Sequence, residues 1–347
     1  MAHQTKLRAG LVGFGTAAQF FHVPLLLASG RFEISHVMER TKSLSRELLP
    51  DAIIVRSMQE LIASDIDVVV IATPTNLHYE QAKISLEAKK HVVVDKPMCV
   101  SYEQAQELIA IANGNNVILT VFQNRRWDSD FLTVHDLLKK KTLGELSHFE
   151  VHFDRYRPLL KGNWKESVDV QGGGLLYDLG AHLVDQMLTL FGKPASIKAD
   201  VQSQRGENLN DDYFRLECQY PNNFLVVLTA GMLVKEKTPK YLIQGSKGSF
   251  LKYGEDGQET ALRAGRTPAT DGENWGKESE EMWGTLTIGN ESPVAVPSIP
   301  GNYSAFYKGL ADSIQNEAPR LVNPQDSAAA IQIIEKAKAD FIARHQH

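Results

Sequence analysis

Near its amino terminus the chain reads LRAGLVGFGTAA, from Leu7 to Ala18. The first six residues predict a short strand, and the next six match the G-x-G-x-x-G/A pattern, which leads from a strand into a helix. In such a turn the first glycine permits a tight bend, and the second lets the backbone approach a pyrophosphate. The dinucleotide-contacting residues predicted from this turn are Gly13, Phe14, Gly15, Thr16 and Ala17. A glycine pattern alone also occurs in ordinary turns, so the prediction of a dinucleotide site depends mainly on the position of this pattern directly after a strand.

Short apolar runs and helical patterns alternate from this turn as far as Phe122. Strands are predicted at residues 7–12, 32–38, 68–73, 91–94 and 117–122, and helices at residues 18–28, 57–64, 77–88 and 102–113. Runs such as VVVIAT at residues 68–73 lack polar alternation, as is typical of strands that are covered on both faces. The pattern predicts an α/β fold whose first domain, residues 1–122, is a Rossmann-type doubly wound parallel sheet.

Longer alternating runs follow Phe122. They lie at residues 147–154, 196–203, 212–220, 224–233 and 241–253. Such runs predict a second α/β domain, residues 123–347, with a large, open and mostly antiparallel sheet. Residues 254–281 are polar and glycine-rich, and they are predicted to form one long loop.

Composition excludes several classes of function. The 347 residues carry 37 basic and 42 acidic side chains without a block of like charge, so neither a nucleic acid nor a membrane surface is an expected partner. No run is long and apolar enough to span a bilayer, and residues 11–28 are too interrupted for an export signal. The two cysteines match no metal or redox spacing. We therefore expect a cytoplasmic protein without a metal site.

Glu39, at the end of the second predicted strand, bears on the cofactor. A carboxylate at this position can accept the ribose hydroxyls of NAD and repels the 2′-phosphate of NADP. Arg40 and the residues after it, TKS, could instead hold that phosphate. The sequence favours NAD slightly and leaves NADP open.

Further cofactor contacts are predicted where later strands end, because ligands of open parallel sheets bind at the carboxyl edge. These residues are Thr73, Pro74, Asn76, His78, Asp95 and Lys96. For Thr73 to Asn76, a turn that only caps the next helix is an equally compatible interpretation. For His78 the alternative is a buried histidine that packs inside the domain and contacts no ligand.

Two patterns carry the predicted chemistry. Asp95-Lys96-Pro97 places a lysine at the ligand edge, and residues 172–185 read GGGLLYDLGAHLVD, a glycine turn that leads into a helix. On a regular helix Asp178, His182 and Asp185 would share one face, where a carboxylate can orient a histidine for acid–base work. A chance pairing on a helix surface is the alternative. A single histidine without a second ligand pair makes zinc a poorer interpretation.

Together these motifs resemble the Gfo/Idh/MocA family of oxidoreductases over essentially the whole chain. Further stretches, such as QNRRWD at residues 123–128 and DRYRP at residues 154–158, resemble its branch of NADP-dependent scyllo-inositol dehydrogenases. The resemblance implies that Lys96, Asp178 and His182 are catalytic, and that the second sheet mediates homodimers or tetramers. Two residues depart from the pattern: Asp95 replaces the usual glutamate, and Glu39 differs from the NADP-binding members.

The implied reaction is hydride transfer between nicotinamide and a secondary alcohol of a polyol or sugar, with scyllo-inositol as the first expectation. His182 would take the hydroxyl proton, Asp178 would stabilise the charged ring, and Lys96 would bind the same oxygen. The predicted substrate contacts are Asn124, Arg125, Tyr156, Trp164, Asp178 and His182. Structural roles are the alternative for several of them. An NAD-dependent glycosidase with a transient redox cycle and a non-catalytic sugar sensor are the alternative functions.

Overall fold

The computed structural model describes residues 5–168, 170–206 and 209–345. These residues form two compact units, each assembled from several segments of the chain. The first contains the described residues up to Asn124 together with Gln258–Trp275 and Asn302–Ile331. The second contains Arg125–Gly257, Gly276–Gly301 and the described residues from Gln332 onward.

The first unit is built around a six-stranded parallel sheet. Its strands are β1 (Leu7–Val12), β2 (Phe32–Met38), β3 (Ile53–Val55), β4 (Val68–Ile71), β5 (His91–Asp95) and β6 (Leu119–Phe122). They lie in the order β3-β2-β1-β4-β5-β6, which is that of a doubly wound nucleotide-binding sheet. The Rossmann fold predicted for this part of the chain is confirmed.

Helices flank this sheet. They are α1 (Val23–Ser29), α2 (Met58–Ile62), α3 (His78–Glu87) and α4 (Tyr102–Gly114). Ser57 and Ser101 cap α2 and α4, since each side chain accepts a hydrogen bond from a backbone N–H of the first turn. The central strand β4 is fully buried, which explains why its sequence shows no alternation.

The second unit contains an eight-stranded sheet. Its elements, in chain order, are α5 (Ser129–Lys139), β7 (Leu146–His152), α6 (Ala181–Phe191), β8 (Ser196–Gln202), β9 (Tyr213–Gln219), β10 (Leu225–Gly231), β11 (Tyr241–Gly245) and β12 (Gly248–Lys252). Two short strands that follow later in the chain complete the sheet. All pairings are antiparallel except that of β7 with β10, so the predicted mostly antiparallel sheet is confirmed.

The segment predicted as one long loop, residues 254–281, contains helices instead. It holds α7 (Gln258–Arg263) and α8 (Pro268–Asp271). Thr267 and Thr270 form a capping box at the start of α8, and the buried Gln258 side chain accepts hydrogen bonds from the Trp275 indole and from the backbone of Tyr303. These local contacts supply the order that the polar composition did not suggest.

The remaining elements are β13 (Gly284–Ile288), β14 (Val294–Val296), α9 (Ser304–Asn316) and α10 (Pro324–His345). Within the described part of the chain, no helix is both long and apolar enough to cross a membrane.

Candidate active site

The glycine turn after β1 fits the cradle of a pyrophosphate. Gly13 has a φ of +84°, and a Cβ at this position would lie 2.9 Å from the Thr73 side chain, so only glycine is free of strain here. A Cβ on Gly15 would meet nothing within 4 Å, and Gly15 and Thr16 are exposed. The backbone at this point is therefore open to a phosphate, whereas the Phe14 side chain is buried.

The helix after this turn does not begin as a regular α-helix. Residues Ala18–His22 form a π-helical segment before α1, where the sequence predicted one continuous α-helix. The segment buries His22, whose Nδ1 lies 2.6 Å from the Tyr307 hydroxyl and whose Nε2 lies 3.8 Å from Asp95 Oδ1. Single π turns are rare and frequently occur at functional sites.

Glu39 has partners within its own loop. Its Oε1 accepts hydrogen bonds from the backbone N–H and hydroxyl of Ser45, and its Oε2 accepts one from the Leu44 N–H, over 2.5–2.9 Å. Only 7% of the residue is exposed. The expected preference for NAD depended on this carboxylate. In the structure the carboxylate instead stabilises its own loop. Arg56 closes the same loop, since its guanidinium donates to the carbonyls of Glu39 and Lys42.

The turn that carries Lys96 lies at the carboxyl end of β5. Lys96 is partly exposed, and its backbone N–H donates to Asp95 Oδ1 over 2.8 Å. Burial opposes ionisation of Asp95, yet the His22 ring and the Lys96 charge leave the pKa of this carboxyl below its usual value. The shorter Asp95, which replaces the family's glutamate, therefore carries a negative charge next to the lysine.

His78 connects this turn to the one that follows β4. Its Nδ1 lies 2.8 Å from the Pro97 carbonyl oxygen and its Nε2 lies 2.7 Å from the Thr73 carbonyl oxygen. The ring is 1% exposed, so it braces the two turns rather than facing a ligand, contrary to the predicted cofactor contact. Burial lowers the pKa of His78, although Asp95 and the two carbonyl groups partly oppose this. Pro74 and Asn76, by contrast, are exposed at the same edge.

In the second unit, a buried ionic network holds the glycine turn before the predicted catalytic helix. Lys338 of α10 lies 2.9 Å from the Gly173 carbonyl oxygen, 2.6 Å from Asn210 Oδ1 and 2.7 Å from Asp211 Oδ1. The other carboxylate oxygen of Asp211 accepts from the Leu176 N–H. Lys338, Asn210 and Asp211 were not predicted; the run NDD at residues 210–212 was their only signal in the sequence.

The helix itself departs from the predicted geometry. Residues Leu176–Gly180 form a second π-helical segment, and α6 follows it. Asp178 pairs with Lys165 at 2.8 Å, and Asp185 makes a two-pronged pair with Arg126 at 2.7 and 2.8 Å. The sequence predicted one regular α-helix through Asp178, His182 and Asp185, whereas the structure places Asp178 in the π segment and the other two residues on α6. That the three side chains share one face stays a prediction.

His182 lies next to a phenylalanine surrounded by cations. It is 5% exposed, and its ring centroid is 6.5 Å from that of Phe153. The same Phe153 ring contacts Lys240 Nζ at 4.0 Å and the guanidinium carbons of Arg155 and Arg125 at 4.6 and 4.7 Å. Burial lowers the pKa of Lys240. Two of these cations have carboxylate partners, since Arg155 pairs with Glu255 and Arg125 pairs with Asp128. The histidine therefore lies beside a cluster of cations and their counter-charges.

A cleft of about 260 Å³ opens beside the π turn of the second unit. Trp164 and Asp178, both predicted substrate contacts, line it, and so do Leu175 and Met232. Tyr156 is exposed outside this lining, where Lys235 lies over its ring. Arg125 is buried and pairs with Asp128 at 3.2 Å, which is the structural alternative weighed for it, and Asn124 is also buried.

Two family models match the chain. Residues 7–123 match the NAD-binding Rossmann fold of an oxidoreductase family, Gfo/Idh/MocA, and residues 135–341 match its C-terminal α/β domain. The chain belongs to this family. The resemblance stated from the motifs is thereby confirmed, and the protein is an NAD(P)-dependent oxidoreductase.

Members of the Gfo/Idh/MocA family are similar to this chain over nearly its full length. A scyllo-inositol 2-dehydrogenase (NADP(+)), IolW of Bacillus subtilis, is 38% identical over 95% of this chain and 92% of its own length. An uncharacterised oxidoreductase, YdgJ of Escherichia coli, is 39% identical over 95% and 94%. The solved structure of a putative oxidoreductase, yvaA of Bacillus subtilis, superposes with a TM-score of 0.92 at 36% identity, over 98% of this chain and 97% of that one.

Proposed function

We propose that this member of the family oxidises a secondary alcohol of a cyclic polyol or sugar, or reduces the corresponding ketone, and that scyllo-inositol is the first substrate to test. The main observation that supports this proposal is the cleft of the second unit, because its wall combines a carboxylate, Asp178, with an indole, Trp164. Such sites suit hydroxyl-rich rings, since the carboxylate accepts hydrogen bonds while the aromatic face covers the apolar C–H groups. The name of the 38% identical relative supports the choice of an inositol.

Each catalytic residue has a proposed role. His182 takes the proton of the substrate hydroxyl, and the Asp178 carboxylate stabilises the resulting imidazolium. Lys96 donates a hydrogen bond to the substrate oxygen and stabilises negative charge that develops on it. A bound nicotinamide supplies the hydride acceptor. The oxidation releases one hydride and one proton, and the carbinol carbon becomes a ketone.

For the cofactor we propose NADP. Glu39, the residue that would reject a 2′-phosphate, directs its carboxylate to Leu44 and Ser45, and the side chains of Arg40 and Lys42 in the same loop are exposed. Guanidinium and ammonium groups bind phosphate well. The Bacillus subtilis relative is named for NADP(+).

The test is an absorbance assay at the nicotinamide band with inositols, aldoses and anhydro-sugars, run with both dinucleotides. Oxidation of scyllo-inositol with higher kcat/KM for NADP is expected. Lys96→Ala and His182→Ala should each lose about 10²–10⁴-fold in kcat while binding dinucleotide normally by calorimetry. Cleavage of a glycoside without net absorbance change would replace the proposal with a glycosidase, and sugar binding without any turnover would replace it with a sensor.

A further inference from the structure

The loop opposite the π turn contributes a cation to the cleft. Lys165 Nζ donates to Asp178 Oδ1 over 2.8 Å, and it lies 5.8 Å from the centroid of the Trp164 ring. Both partners of this pair are partly exposed, with 42% and 27% of their side-chain surfaces accessible. The pair therefore presents a donor and an acceptor side by side at the wall of the cleft.

Lys165 is held in place by its backbone. Its carbonyl oxygen accepts the Gly174 N–H over 2.8 Å, which ties it to the glycine turn, and its own N–H donates to Asn163 Oδ1. The next residue, Glu166, accepts the backbone N–H of Lys161 and of Gly162. The backbone of the lysine is thus fixed where its side chain can reach Asp178.

A paired ammonium and carboxylate can read two neighbouring hydroxyls. An ammonium has three N–H donors, and Lys165 uses one of them for its hydrogen bond to Asp178. A carboxylate has about four lone-pair positions that can accept hydrogen bonds. A vicinal diol can therefore accept from the lysine with one oxygen and donate to the aspartate with the other. A monohydroxylated ring lacks the second contact, so the pair discriminates by substitution pattern.

We propose that Lys165 is a specificity-determining residue that, together with Asp178, selects substrates with two adjacent hydroxyl groups. The proposal rests on the proposed function, because it assigns the cleft to a polyol. It predicts that the lysine affects polyol binding and that it does not affect dinucleotide binding.

The kinetic experiment compares Lys165→Met with Lys193→Met, which removes the same charge at an exposed position outside the lining of the cleft. Lys165→Met is expected to raise KM for scyllo-inositol about tenfold and to leave the dissociation constant of NADP unchanged. Lys193→Met should resemble wild type, and Lys165→Arg should restore most of the KM. Equal KM values in Lys165→Met and Lys193→Met would overturn the proposal.

A second measurement does not depend on turnover. Calorimetric titration of scyllo-inositol into the NADPH-bound protein should give a dissociation constant that Lys165→Met raises about tenfold. An unchanged dissociation constant would overturn the proposal. Binding of the polyol by a protein that turns over no polyol would instead refute the proposed function.

Discussion

The two turns that carry the proposed catalytic groups are stabilised by different chemistry. The turn with Lys96 extends a buried parallel strand, and the His78 ring braces it against two carbonyl oxygens. The turn before His182 follows an irregular loop, and Lys338 and Asp211 hold it with a buried ion pair of 2.7 Å. A strand register fixes most of the first turn, whereas the second combines backbone hydrogen bonds to irregular segments, such as that of the Gly174 N–H to the Lys165 carbonyl, with this ion pair.

This difference has an energetic consequence. A hydrogen bond to a backbone carbonyl contributes on the order of 1 kcal/mol net, and removal of one member of a buried ion pair costs several times more. The second turn should therefore be the more sensitive to single substitutions. The first turn should be the more sensitive to acid, because burial lowers the pKa of His78 and its protonation then opposes folding.

The largest effect is expected for Lys338→Met. The substitution leaves the Asp211 carboxylate, which is 2% exposed, without its cation, so the free energy of unfolding should fall by about 3–5 kcal/mol. Urea denaturation measures this loss, and kcat should fall with it because the Leu176 N–H loses its oriented acceptor. Lys336→Met, at an exposed position on the same helix, is the control, and similar midpoints for both variants would show that the network does not hold the turn.

A smaller effect is expected for His78→Leu. A neutral imidazole donates from one ring nitrogen, so one of the two carbonyl groups would lose its N–H donor, at a cost of about 1–3 kcal/mol in unfolding free energy. Turnover should fall further than this loss of stability implies, because the Lys96 turn is no longer tied to the turn after β4. His78→Gln, which keeps an N–H donor, should recover part of the unfolding free energy and part of the turnover. If it behaves like the leucine variant, hydrogen bonds of His78 do not hold the two turns together.

The smallest effect concerns pH and His91, at the start of β5. Its Nδ1 accepts the Ile118 N–H over 3.0 Å, and burial lowers the pKa of the ring from 6.5. The unfolded chain therefore takes up this proton first as the pH falls, so the stability from this group is present above about pH 6.5 and is lost below it. His91→Asn should flatten the decline in melting temperature between about pH 7 and about pH 5.5. An unaltered slope would assign the acid sensitivity to other groups.

Much of the fold could be predicted because its signals are local. Five strands of the parallel sheet appear in the sequence as short, largely apolar runs, and β3 was missed because three residues are too few to show a pattern. The short strands β13 and β14 were also missed, and burial in them does not alternate. The π segments could not be predicted, since their helical periodicity over five residues does not differ visibly from that of an α-helix.

The site was predictable in its motifs and not in its contacts. Trp164 and Asp178 were predicted and do line one cleft. Glu39 instead caps its own loop, because its carboxylate accepts hydrogen bonds from N–H groups five and six residues later. Lys338 could not be found from the sequence, because its partner Asn210 lies 128 residues away. The joint action of Lys96 and His182, the open sheet as an oligomer contact and the location in the cytoplasm stay predictions.

The sequence separation between Lys338 and Asn210 also affects how the chain matures on the ribosome. When Asp211 leaves the exit tunnel, Lys338 is still to be synthesised, so the glycine turn lacks this cation until α10 has emerged. The first unit waits almost as long, because it includes Asn302–Ile331 and because His22, next to the glycine cradle, lies against Tyr307. Neither unit should therefore be complete in a nascent chain before α10 has been synthesised.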